Sequence, residues 1–118
     1  MSYDLAVWEG ERPASDEAAG EKFLALYERY VETSELEPPT ERIRAYAMAL
    51  LDRYPDISAD EENDSPWSTA PLLGEAVGPL MYFPMVWSRC VEISAWAADL
   101  AAEHGLVCWD PQASKLRP

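Results

Sequence analysis

Histidine is almost missing from this chain of 118 residues, with His104 as the single example. It stands before Gly105 at the expected end of a helix, where the dipole favours an imidazolium and no catalytic role is needed to explain it. Cysteine is scarce as well, limited to Cys90 and Cys108. Roughly 21 Å of helix would separate Cys90 from His104, which rules out a nucleophile and base pair. A return strand carrying Cys108 would leave the two cysteines roughly 10 Å apart, too far for a disulfide. No apolar run approaches the length of a membrane span, and the amino terminus has no signal-like apolar segment. A cytoplasmic protein with reduced thiols is therefore expected. The five glycines form no phosphate-binding loop.

Positive charge is the largest deficit. Nine basic residues face 22 acidic ones, for a net charge of −13. Such a surface repels nucleic-acid phosphates and anionic membranes, so neither is an expected partner, and a basic protein is the complementary expectation. Carboxylates crowd the segment Asp56 to Asp64, DISADEEND, which reads as a mobile surface loop. It lacks the central glycine and distant glutamate of a calcium loop, so no metal site is expected, and no motif calls for a cofactor. Close carboxylate pairs arise by chance in so acidic a chain. No nucleophile, base and orienting group can be placed together, and the chain is not expected to be an enzyme.

What is present suffices for one core: 48% of residues are hydrophobic, and the whole of 1–118 reads as a single domain. Tyr3, Leu5 and Val7 alternate with Asp4, Ala6 and Trp8 as in a first strand with one inward face. Ser15 caps an expected helix that buries Ala19, Phe23, Leu26 and Tyr30. Thr40 caps another along Ile43, Ala47, Leu50 and Tyr54, ended by Pro55. Pro66 to Ala70 and Leu80 to Phe83 suggest a hairpin, and Pro84 should end its second strand or expose that edge. Val86 to His104 is a helix whose inward stripe runs through Val86, Cys90, Ile93, Ala97 and Leu100. Leu106 to Trp109 is the last strand, and Gln112 to Pro118 a tail. The order β-α-α-β-β-α-β predicts an α+β fold, ferredoxin-like, with helices on one face of a four-stranded antiparallel sheet and the first strand central.

Tryptophan is plentiful, with five in the chain. Trp96 falls at the edge of the long helix's apolar arc, beside Glu92, Asp99 and Glu103, the pattern of an aromatic hot spot for a basic partner. Trp8 and Trp67 lie on or beside strands and would line the open sheet face, a surface suited to a partner protein, a flat ligand or a second copy in a homodimer. The expected partner-binding residues are thus Trp96, Glu92, Asp99, Glu103, Trp8 and Trp67.

The opening MSYDLAVWEG and the closing AAEHGLVCWDPQ resemble a group of small, acidic, uncharacterised bacterial proteins, and such proteins are similar to immunity partners of polymorphic toxins. The resemblance implies an inhibitor that occludes a basic toxin and carries over no site residues. The alternative expectation is a small-ligand or regulatory domain acting through the open sheet face.

Overall fold

The central strand is apolar on both sides, and the rest of the architecture follows from that. In the computed structural model, which describes residues 2–32, 37–56 and 65–117, β1 (Ser2–Trp8) buries Leu5, Ala6, Val7 and Trp8 one after another. A strand with both faces apolar needs cover on both. Three helices supply it: α1 (Asp16–Tyr30), α2 (Glu41–Arg53) and α3 (Cys90–Glu103). α1 packs over the face bearing Ala6 and Trp8, while α2 and α3 pack over the face bearing Leu5 and Val7.

The sheet has five antiparallel strands in the order β2-β3-β1-β4-β5, with β2 at Ala76–Val77, β3 at Leu80–Val86, β4 at Val107–Asp110 and β5 at Lys115–Leu116. β1 is central as expected, paired with β3 from Ser2 opposite Val86 to Trp8 opposite Leu80, and with β4 through Val7 opposite Cys108. Two expectations are corrected. The sheet is not four-stranded, because the supposed tail turns back at residues 111–114 and pairs Leu116 with Trp109. Nor do the helices share one face: α1 occupies the side that was to stay open, and Trp8 is fully buried beneath it.

Local signals were read correctly where side chains cap backbone. Ser15 Oγ accepts from the Ala18 N–H at 3.1 Å and Thr40 Oγ1 from the Ile43 N–H at 3.3 Å. β3 runs on through Pro84 to Val86, since only the Pro84 carbonyl is needed on the outer side, where it accepts from the Ser68 N–H. The expected hairpin from Pro66 is reduced to a single bridge between Trp67 and Met85, and the true hairpin pairs β2 with β3. α3 begins at Cys90 after a short helical turn over Trp87–Arg89, which removes Val86 from its stripe. Its buried line is Cys90, Ile93, Ser94, Ala97, Ala98 and Ala101, with Leu100 only partly covered. Of the acidic loop, Asp56 accepts from the Leu72 N–H at 2.7 Å, and 57–64 lie outside the described residues.

The turn between β2 and β3 depends on Gly78. Its φ of +53° lies in the left-handed region, and a Cβ there would stand 2.8 Å from Tyr30 Cε1. The left-handed backbone costs an alanine about 1 to 2 kcal/mol, and the ring must move as well. Gly78→Ala should therefore lose about 2 kcal/mol or more in urea titration. A loss below about half a kcal/mol would show that the hairpin and the end of α1 do not meet as described.

Candidate functional site

The expected site residues separate into two groups. Trp8 and Trp67 have no exposed surface, so neither can touch a partner in the folded protein. Trp67 is held by its indole N–H, which donates to the Tyr54 carbonyl at 2.7 Å, and by edge-to-face packing on Phe83 at 5.9 Å. Trp96 is half-buried and stands edge-on to Tyr54 at 5.1 Å, so it seals the core between α2 and α3 more than it faces solvent. The carboxylates behave as expected. Glu92, Asp99 and Glu103 are all exposed along α3, and Arg89 pairs with Glu92 at 2.9 Å.

The outer face of α3 also carries apolar groups that the sequence reading passed over. Trp87 is 50% exposed and Val91 83%, with Ala95 and Ala102 exposed further along the helix. An α3 that is apolar toward the sheet and again toward solvent has more apolar surface than the fold uses. Trp87 packs its ring on Tyr3 at 5.9 Å, so the patch continues onto β1. Within the helix expected from Val86, Trp87 lies off the stripe Val86, Cys90, Ile93, Ala97 and Leu100, and that offset was its one signal of exposure. At the other end of α3, Glu103 and His104 line a broad cleft of about 800 Å³ together with Glu9, Glu41 and Arg42, extending the acidic band.

Beneath the apolar patch is a polar cluster joining residues far apart in the chain. Asp110, at the end of β4, is 3% exposed. Its Oδ2 accepts from the Tyr3 hydroxyl and from Arg117 Nη2 at 3.4 Å, while Oδ1 accepts from the backbone N–H groups of Gln112 and Ala113 at 3.0 and 3.1 Å. Burial pushes the Asp110 carboxyl up, but the hydrogen bonds from Tyr3, Gln112 and Ala113 and the nearby guanidinium outweigh it and hold the group below its usual value. Arg117 also donates to Ser94 Oγ at 2.9 Å, fastening the carboxyl-terminal segment to α3. The Gln112 side chain acts as a short substitute strand, accepting from the Asp4 N–H at 2.6 Å and donating to its carbonyl at 2.7 Å. Asp110-Pro111 read as the end of a strand; it is also a turn in which the carboxylate collects the following N–H groups.

The cluster contains no activated nucleophile. Cys90 and Cys108 are both buried and free. Burial pushes the Cys108 thiol up to about 12, so it is protonated and inert at neutral pH. Among the described residues no group of three metal-ligating side chains converges, and no helix is long and apolar enough to cross a membrane. Comparison with protein-family models, with curated proteins and with solved structures finds no significant match to this chain.

Proposed function

We propose that this protein is an acidic protein-binding module that receives a basic partner on the outer face of α3, in the manner of an immunity-type inhibitor that occludes a basic toxin. One observation carries the reading: exposed apolar residues, Trp87 in the turn before α3 and Val91 on it, share one side of the molecule with the exposed carboxylates Glu92, Asp99 and Glu103 that follow along the helix, in a chain of net charge −13. Carboxylates of this kind accelerate encounter with a cation-rich surface, and apolar anchors slow dissociation. The alternative of a ligand domain acting through an open sheet face loses its surface, because α1 covers that face.

The test is kinetic. Immobilised protein exposed to lysate of its source cell should retain a basic protein at low salt and release it at high salt. Asp99→Lys with Glu103→Lys should then slow association by about ten-fold or more and flatten its salt dependence, while the melting temperature stays close to that of the parent. Association that is unchanged by the reversal would remove the basic-partner reading.

A further inference from the structure

The polar cluster and the exposed apolar patch meet at a pocket of about 230 Å³ lined by Tyr3, Cys90, Val91, Ser94, Ala95 and Arg117. We infer that this pocket is the anchor point of the interface, and that its occupant is one aromatic side chain of the basic partner; the inference rests on the binding-module reading above. Volume comes first. A cavity of roughly 150 Å³ is enough to bind benzene, so this pocket holds a single ring with room for its linking carbon.

The chemistry of the walls then selects among side chains. Val91, Ala95, Cys90 and Tyr3 supply apolar contact, and the two polar lining residues, Arg117 and Ser94, are bonded to one another. The guanidinium is already paired with Asp110 at 3.4 Å and bonded to Ser94 Oγ at 2.9 Å, so the pocket offers an incoming group a mostly apolar wall and no unpaired carboxylate. A lysine or arginine head would lose its hydration there with no free carboxylate to receive it, whereas an aromatic ring gains apolar contact on several sides. The rim is Val91 and, in tilted ring contact with Tyr3, the half-exposed Trp87, apolar groups that exclude water around a buried anchor.

Charge identifies the rest of the occupant. A second copy of this chain would bring another −13 to the same surface, and repulsion opposes that pairing. Glu92 follows Val91 directly, and Asp99 and Glu103 continue along the exposed side of α3, so a segment with its ring in the pocket lays its neighbouring residues on carboxylates. The recognised element is therefore a run of lysine and arginine interrupted by one phenylalanine or tyrosine. Such division of labour gives speed to the charges and residence time to the ring.

Two synthetic lysine- and arginine-rich peptides, alike except for one central phenylalanine or alanine, would decide it when titrated into the full chain at 0.15 M salt. The phenylalanine peptide should bind about ten-fold more tightly and shift the amide resonances of Cys90, Val91 and Ala95. Ala95→Phe, which fills the pocket from an exposed position, should erase the difference between the peptides. If that variant melts early, Trp87→Ala at the half-exposed rim should narrow the same difference. Equal affinity of the two peptides, with binding that weakens as salt rises, would overturn the anchor and leave the basic-partner reading standing. Failure of both peptides to bind would overturn both. A concentration-dependent dimer in sedimentation, lost in Ala95→Phe, would assign the pocket to a second copy instead.

Discussion

Replacing Trp8 with alanine should cost about 3 to 5 kcal/mol, the scale of deleting a large aromatic from a close-packed core. Trp8 has no exposed surface and belongs to the smaller of the two cores, built from Ala6, Ala19, Leu26, Leu80, Val107 and Trp109 with partial cover from Phe23, Tyr30, Tyr82 and Leu116. Its neighbours are fixed on the central strands and on α1, so they can close only part of the space left behind, and the residual cavity adds to the lost apolar contact. The loss should be local in the first instance. Because α1 is held to the sheet through this core, its amides should lose hydrogen-exchange protection before those of α2 and α3. With a total stability of about 5 to 15 kcal/mol for an ordinary domain, the variant should also show a sharply lowered urea midpoint. Trp8→Phe keeps most of the apolar contact and should cost well under half as much. A Trp8→Ala loss below about 1 kcal/mol, with α1 still protected, would mean that this face of the sheet is not sealed by Trp8.

The burial of Trp8 differs from the open-face position expected of it, and the reason lies in the composition of β1. Asp4 is polar and supports an alternating strand, but its companions on that face are Ala6 and Trp8, both apolar. Leu106 to Trp109 is apolar at every position. Runs of this kind mark strands covered on both faces, and they were legible. Periodicity decided the helices more reliably, since the buried lines of α1 and α2 are close to those expected from spacing and caps. It was less reliable for α3, where so many alanines blur the difference between inward and outward faces. Pairing of β1 with β3 and β4 followed from strand order, but the pairing of β5 and the side-chain contacts of the last residues did not. Nothing in the local pattern of a carboxyl-terminal arginine indicates that it reaches Ser94 on α3 and Asp110 at the end of β4. The carboxylates of the candidate surface were found because exposure of charge follows from helix phase; Trp87 was missed because the helix was expected to start at Val86, whereas Trp87 stands in a separate turn before Cys90.

Asp110→Asn should cost about 2 to 4 kcal/mol, the second large effect, and it should change how stability depends on acid. The amide oxygen can still accept from the Gln112 and Ala113 N–H groups, but its NH₂ would replace the oxygen that receives the Tyr3 hydroxyl and Arg117. The Arg117 guanidinium would then face a second donor, and the Tyr3 hydroxyl would have to turn from donating to accepting. Breaking a fully buried ion pair costs about 3 to 5 kcal/mol, and the lower range applies because Arg117 keeps 27% of its side-chain surface in contact with solvent. The carboxyl is held below its usual value in the folded protein, so its contribution is present above the unfolded-state value of about 3.9 and is lost as pH falls through the lowered folded value. Glu75 acts in the opposite sense, because burial raises its carboxyl and acid therefore favours the fold there. The Asp110 share is accordingly the difference between parent and variant curves, which should be largest near neutrality and shrink below about pH 4. A double-mutant cycle with Arg117→Met assigns the cause. If the carboxylate and guanidinium stabilise one another, the second substitution should add little once Asp110 is gone, with a coupling of about 1 kcal/mol or more. Strict additivity, or a parent and variant whose stabilities fall in parallel through the acid range, would show that Asp110 serves the turn at Gln112 and Ala113 and not the fastening of the carboxyl-terminal segment to α3.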